Sequence, residues 1–297
     1  MAEQAWTVRS MLLWAREWLG RKGVDNPRLD AELLLARALD CDRLRLYVDH
    51  DKPLAPEELT RFKALIVRRA EREPVAYILG VKEFYGRPFS VDQRAFIPRP
   101  ETELLVQAAL QALQDGPAGP TDRAGPLRAL DLCAGSGAVG VSLAAELPAL
   151  EVDLVELSEA TAEVARANAL AHAPGRATVY AGDLYAALPQ PMRYRAVVAN
   201  PPYVPLRDKA RLAPEIALHE PSLALYGGED GLAVIRRIVA GAPGWLCAGG
   251  TLLLEIDPPE AQEVIALCGA AGLSGVRVTQ DLAGHDRIVV ARVAAEV

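Results

Sequence analysis

The sequence predicts an α/β protein built on a doubly wound, mostly parallel sheet, preceded by a small N-terminal helical bundle and a β-hairpin connector. Two changes of hydrophobic period and one alternation carry this expectation. Residues 1–75 repeat apolar side chains at helical spacing, and residues 76–97 break into short apolar runs punctuated by glycine. From residue 98 to 297, strand-like and helix-like patterns alternate, which implies parallel strands joined by helices covering both faces. Three segments are therefore expected: 1–75, 76–97 and 98–297.

Thr7 can cap a helix whose apolar positions Val8, Leu12, Ala15 and Leu19 share one face, with Gly20 and Gly23 at its end. Asn26 and Pro27 start a second helix through Ala31, Leu34, Leu35 and Ala38. Pro56 opens a third, with Leu59, Phe62, Leu65 and Ile66 facing inward, and Pro74 stops it. In the connector, residues 77–80, 82–86 and 88–91 read as short strands. A helix is expected from about Glu101 to Leu113, and a Gly/Pro-rich exposed loop over 116–125. Residues 127–132, 150–156, 177–180, 194–199 and 250–256 read as the strands of the sheet. Ligands of such sheets bind at the carboxyl ends of the strands, near the point where the strand order reverses.

A chain of 297 residues is long enough for two domains. Cys41, Cys133, Cys247 and Cys268 have neither metal nor redox spacing, and the four histidines are dispersed, so no metal site is expected. Scattered cysteines fit a reducing, cytoplasmic setting. The N-terminal Met-Ala-Glu-Gln lacks the form of a signal peptide, and no apolar run approaches the length of a membrane span. A net charge of −7 argues against a stable complex with nucleic acid, where a basic footprint is expected. Charges nearly balance in the first segment, so the acidic excess lies downstream. Arg68, Arg69 and Arg72 read as a solvated helix face, with a docking surface for an acidic partner as the alternative.

The most unusual stretch is Asn200-Pro201-Pro202-Tyr203, directly after an apolar strand. Two prolines fix φ and remove two N–H donors, so the loop offers rigid carbonyls beside an amide that both accepts and donates. Two fixed acceptors suit the two hydrogens of a planar –NH2 group, and point to methyl transfer onto an amide or an exocyclic amine. Upstream, Asp131-Leu-Cys-Ala-Gly135-Ser-Gly137 joins a strand to a helix through a glycine turn that lets backbone approach a ligand. Asp131 can anchor that turn. Glu156 ends the next strand, about 20 residues on, where a carboxylate can accept both ribose hydroxyls. Gly182-Asp183-Leu184 ends the third, with Asp183 placed to accept from an adenine amino group and Leu184 to pack on the ring. No lysine of phosphate-binding type follows the glycine turn, which disfavours a nucleoside triphosphatase.

These motifs resemble the HemK/PrmC family of protein N5-glutamine methyltransferases, which act on peptide chain release factors. The likeness runs over nearly the whole chain: the helical N-terminal part, Gly80-Val-Lys-Glu-Phe84, Ile97-Pro-Arg-Pro-Glu-Thr-Glu103, the glycine turn, Asn200 to Tyr203, His219-Glu-Pro-Ser-Leu-Ala-Leu225, Leu253-Leu-Glu-Ile256 and Asp281-Leu-Ala-Gly-His-Asp-Arg287. The resemblance implies a class I, Rossmann-like methyltransferase domain with a helical substrate-recognition domain before it. It implies S-adenosylmethionine as cofactor and S-adenosylhomocysteine as product. The family's cofactor positions fall on Cys133, Ala134, Gly135, Ser136, Gly137, Glu156, Leu184 and Asn200, beside the adenine acceptor Asp183 read above. Its substrate positions fall on Asn200, Pro201, Pro202 and Tyr203.

The implied substrate is the glutamine of a Gly-Gly-Gln tripeptide in a class I release factor. The Asn200 side-chain oxygen and the Pro201 carbonyl are expected to accept its amide hydrogens, while Tyr203 packs against its side chain. Cys133 stands where a glycine is common in the family, and Leu184 where some relatives carry an aromatic residue. The rival activities are methylation of a ribosomal-protein glutamine and, more distantly, of an adenine amino group. A flipped adenine needs stacking partners and basic grooves, which 5% aromatic residues and a negative charge do not favour. From another class, the chain could be a non-catalytic S-adenosylmethionine-binding scaffold, which the intact Asn-Pro-Pro-Tyr loop opposes.

Overall fold

The computed structural model describes residues 6–115, 127–189 and 192–295. The loop expected over 116–125 and the N-terminal tetrapeptide lie outside them. Two compact units are present, one of residues 1–80 with 213–219, the other of residues 81–212 with 220–297.

The first unit is helical: α1 (Val8–Arg21), α2 (Pro27–Leu39), α3 (Arg43–Val48), α4 (Pro56–Ala70), α5 (Val75–Leu79) and, from downstream sequence, α9 (Pro214–His219). Thr7 caps α1 reciprocally: its hydroxyl accepts from Ser10 N at 3.2 Å, and Ser10 Oγ accepts from Thr7 N at 2.9 Å. Gly20 lies inside α1, which runs on to Arg21. Ala15, Leu19, Leu34, Leu35, Phe62 and Ile66 form the core. α4 stops before Pro74, because Arg72 takes the left-handed conformation (φ +72°) and reverses the chain. The run 77–80, expected as strand, instead falls in α5 and its cap: the helix ends at Leu79, and Gly80 takes a φ of +74° that suits glycine.

Of the arginine cluster, Arg68 stands on a solvated face and the other two do not. Arg69 is buried; its Nε lies 2.6 Å from Asp30 Oδ2 and its Nη2 3.0 Å from Glu215 Oε1. Arg72 reaches the other oxygen of Glu215 at 2.6 Å, and Arg68 pairs with Glu73. A planar guanidinium can serve two carboxylates at once, which keeps Asp30 and Glu215 paired despite their burial.

The second unit opens with the hairpin β1 (Val81–Phe84) and β2 (Arg87–Ser90), followed by α6 (Glu103–Asp115). Its sheet comprises β3 (Leu127–Leu132), β4 (Leu150–Glu156), β5 (Ala177–Ala181), β6 (Tyr194–Ala199), β7 (Leu246–Glu255), β8 (Ser274–Gln280) and β9 (Asp286–Arg292), in the order β5-β4-β3-β6-β7-β9-β8. Parallel pairing joins the first five, and β9 is antiparallel to both β7 and β8. The order reverses between β3 and β6. One face packs on Leu105, Val106 and Ala109 of α6, Val141 and Leu143 of α7 (Ala138–Glu146), and α8 (Glu159–His172). The other packs on Ile235, Ile238 and Val239 of α10 (Ala233–Trp245) and Val264 of α11 (Ala261–Ala270). No described helix is long and apolar enough to cross a membrane.

The buried Arg69 network yields a stability expectation. Arg69→Ala removes the cation and leaves Asp30 buried and unpaired, which costs about 3–5 kcal/mol for a pair of this kind. Urea denaturation followed by tryptophan fluorescence measures it. A loss below about 1 kcal/mol, the range of exposed pairs, would show that the network is solvent-screened.

Candidate active site

Sheet register decides which loops meet. Leu132 at the end of β3 pairs with Val155 of β4 on one side and Ala199 of β6 on the other. Glu156 pairs with Ala181, and Ala199 with Leu254. The glycine turn, Glu156, Asp183 and the Asn-Pro-Pro-Tyr loop therefore leave the sheet side by side at its carboxyl edge.

The glycine turn is shaped by left-handed residues: Cys133 (φ +60°), Gly135 (+55°) and Gly137 (+81°). Cys133 thus holds a backbone conformation that favours glycine. Desolvation pushes its thiol well up, with Glu156 and Asp131 adding to the effect, so it stays protonated and inert. Asp131 anchors the turn's far end: its Oδ2 accepts from Gly140 N at 2.8 Å in the first turn of α7. A Cβ on Gly140 would lie 2.9 Å from that oxygen, so glycine is needed for the approach. Burial pushes the Asp131 carboxyl up to about 7.

Glu156 braces the same turn. Its Oε2 accepts from Gly135 N at 2.9 Å and its Oε1 from Ser158 N at 3.0 Å. A carboxylate offers about four lone-pair sites, so capacity beyond its backbone donors Gly135, Ser158 and Leu157 remains. Asp183 lines the same cavity, and its Oδ2 is held by Arg237 Nη2 at 2.7 Å, a partner that sequence reading missed. Leu184 is buried at φ +46° and also lines the cavity.

The cavity measures about 550 Å³ and is bounded by the glycine turn, residues 155–158, Asp183, Leu184, residues 200–204 and a far wall of 221–226. Val204 N donates to Leu225 O at 2.9 Å and Gly227 N to Val204 O at 3.0 Å, tying the proline loop to that wall. A Cβ on Gly227 would meet Pro202 O at 2.5 Å. Tyr203 is half-buried; desolvation and nearby Glu255 push its hydroxyl well up, so it remains neutral.

The segment of residues 97–103 is the main piece whose role the sequence left unread. Arg99 Nη2 lies 2.6 Å from Glu220 Oε1, joining this segment to the residues that precede the far wall. Glu103 Oε1 accepts from Tyr85 N at 2.9 Å, fixing the hairpin. Thr102 Oγ1 accepts from Asn200 Nδ2 at 3.2 Å. Asn168 of α8 is a further brace: its Oδ1 accepts from Ser90 N at 2.8 Å, and its Nδ2 donates to Ser90 O and Ser136 O at 3.0 and 2.9 Å. These partners lie far apart in sequence, so no local spacing pairs them.

A cavity of this size, at the strand mouths of a doubly wound sheet and beside the reversal of strand order, defines a class I methyltransferase fold. Solved structures share that fold at low identity: the hMettl16 catalytic domain in complex with a 3′UTR hairpin (TM-score 0.55, 14% identical, covering 80% of each chain) and a methyltransferase from Pyrococcus furiosus (TM-score 0.50, 15% identical, covering 78% of this chain and 98% of that one). The PrmC N-terminal domain family matches residues 10–80 and the methyltransferase small domain family residues 120–223. Release factor glutamine methyltransferases of Geobacter sulfurreducens and Cereibacter sphaeroides are 41% and 42% identical to this chain, covering 98% and 93% of it and 98% and 95% of their own lengths. The chain belongs to the release factor glutamine methyltransferase family.

Several buried carboxyls share one sign of shift. Burial pushes Asp131, Glu255 and Glu260 each up to about 7, and Glu156 upward as well. In the unfolded chain such groups titrate near about 4. The folded protein therefore holds protons that the unfolded chain has released, and stability falls as pH rises from about 4 to about 7. Urea denaturation of the ligand-free protein at pH 5 and pH 8 is expected to show a loss on the order of a few kcal/mol at the higher pH. A gain in stability over this interval would contradict these assignments.

Proposed function

We propose that this protein transfers a methyl group from S-adenosylmethionine to N5 of the glutamine side chain in the Gly-Gly-Gln motif of class I peptide chain release factors, leaving S-adenosylhomocysteine. The observation that carries the reading is the placement of Asn200-Pro201-Pro202-Tyr203 at the end of β6, beside the glycine turn at the end of β3.

The cavity fits the cofactor. Its volume lies in the range of small-molecule sites. Cys133 to Gly137 cradle it, the Glu156 oxygens retain lone pairs for the ribose hydroxyls, and Leu184 supplies an apolar surface for the adenine. Asp183, already paired through Oδ2 with Arg237, accepts from the adenine amino group through its free oxygen. S-adenosylmethionine supplies an electrophilic methyl group on a sulfonium when bound.

The remaining work is orientation. A carboxamide nitrogen is a weak nucleophile because its lone pair is delocalised into the carbonyl. Asn200 Oδ1 and the Pro201 carbonyl accept its two hydrogens, aim the nitrogen and favour pyramidal character as it attacks. Pro202 keeps the loop stiff, and Tyr203 packs along the aliphatic part of the glutamine. The rate enhancement comes from near-attack geometry and preorganised dipoles, with no covalent enzyme intermediate. The helical unit holds the rest of the release factor.

Two substitutions test the roles separately. Glu156→Ala is expected to weaken S-adenosylmethionine binding by about 1.5–3 kcal/mol, the scale of hydrogen bonds to a charged group, as read by calorimetry. Asn200→Ala is expected to lower the single-turnover rate on a release factor by roughly 10²–10³ at saturating cofactor. Asn200→Asp is also expected to be slow, since it adds negative charge that favours the sulfonium ground state. Unchanged cofactor affinity in the first variant removes the ribose role. A near wild-type rate in Asn200→Ala makes the proline loop structural and ends the mechanism.

A further inference from the structure

Asn200 can orient a substrate amide only if its own amide has a defined facing. An asparagine side chain free to turn by 180° would present its NH2 group to the incoming –NH2 as often as its oxygen, and donor would meet donor. Something must hold the NH2 edge of Asn200 away from the substrate.

The sheet supplies a candidate. Ala199 and Leu254 are in register across β6 and β7, so the next residues, Asn200 and Glu255, project to the same side of the sheet at neighbouring strand ends. Thr102, at the end of the 3₁₀ turn Pro100–Thr102, reaches the same point. Asn200 Nδ2 donates to Thr102 Oγ1 at 3.2 Å. The Glu255 carboxyl lies beside both: Thr102, and more weakly Asn200, draw it downward against the burial that pushes it up. Thr102 and Glu255 are both buried, at 3% and 4% exposure, so water does not replace these bonds.

The proton count then fixes the direction of every bond. In its ionised form, which dominates above about pH 7, Glu255 only accepts, so the single Thr102 hydroxyl proton goes to it. The Thr102 oxygen is thereby left to accept, and it takes a hydrogen from Asn200. The second Nδ2 hydrogen goes to Glu255. Both hydrogens of Asn200 are consumed on this side, and Oδ1 is the edge left to meet a substrate –NH2.

We infer that Thr102 and Glu255 are positioning residues for methyl transfer, holding the NH2 edge of Asn200 so that its Oδ1 faces the substrate amide. This rests on the glutamine reading of Asn200 given above. It also gives a task to the threonine of Ile97-Pro-Arg-Pro-Glu-Thr-Glu103 and the glutamate of Leu253-Leu-Glu-Ile256. Burial of Glu255 is costly: its carboxyl is pushed up to about 7 by desolvation and by Glu101, against the pull of Arg287, and its Oε2 makes no hydrogen bond among the described residues. A site that needed only packing would be served by an apolar residue at lower cost.

The test compares Thr102→Val, which keeps the shape and removes the hydroxyl, with Thr102→Ser, which restores the hydroxyl. Glu255→Gln and Asn200→Ala complete the set. Single-turnover and steady-state methylation of a release factor are measured with cofactor affinity and thermal midpoint. Thr102→Val and Glu255→Gln are expected to lower kcat by about 10- to 100-fold, the cost of a misplaced reacting group, with KM and cofactor affinity nearly unchanged. Thr102→Ser is expected to recover most of the rate. The Asn200 Nδ2 resonances, assigned by their loss in Asn200→Ala, are expected to be protected from solvent exchange in the wild type and exposed in Thr102→Val.

Wild-type kcat in Thr102→Val, or equal losses in Thr102→Val and Thr102→Ser with intact folding, would overturn the inference. If Asn200→Ala itself retains the rate, the glutamine mechanism fails first. If Asn200→Ala is slow while Thr102→Val is not, only the positioning role fails.

Discussion

The parallel pairing of β3 with β6, which sets Leu132 beside Ala199, is the constraint on which the remaining architecture depends. It brings the glycine turn and the Asn-Pro-Pro-Tyr loop to the same edge of the sheet, although some 60 residues of chain separate them. A shift of this register by one residue would turn Asn200 to the opposite face and separate it from Thr102 and Glu255. The register is secured by burial of β3 and β6 on both faces, where Leu130, Leu132, Val197 and Val198 pack into the two cores.

Around that edge the structure places buried charge where it braces loops. Asp131 ties α7 to β3, Glu156 holds the glycine turn to β4, and Glu220 binds Arg99 across the cavity's approach. Each buried carboxyl is costly to desolvate, and each is matched by a backbone N–H or a guanidinium. Rigid loops follow from this, and rigid loops are what an orientation mechanism requires. In the helical unit the same logic appears in Arg69, which serves Asp30 and Glu215 together.

Much of this was legible from residues alone, and the gaps have physical reasons. Strands 127–132, 150–156 and 194–199 were read with the bounds the structure has, because each is a short apolar run ending in turn or polar residues. The strand read over 250–256 begins earlier, at Leu246, and ends at Glu255. β8 went unread because most of it is exposed and its pattern carries little apolar signal. α3, six residues long, is too short to show a period. The site residues supplied by motif line the cavity, except Gly137. The residues supplied by register or distant partners, namely Thr102, Glu255, Asn168 and Arg237, could not be found by spacing. Arg69 was misread for the same reason: its partner Glu215 is 146 positions away.

The central claim is that the cavity edge formed by β3 and β6 methylates a side-chain amide in a protein. The most direct measurement is tandem mass spectrometry of a purified release factor after incubation with this protein and isotopically labelled S-adenosylmethionine. The account predicts a single labelled methyl group on the side-chain amide of the glutamine in Gly-Gly-Gln. Label on any other residue, or an unlabelled release factor beside a labelled ribosomal protein or nucleic acid, would contradict it.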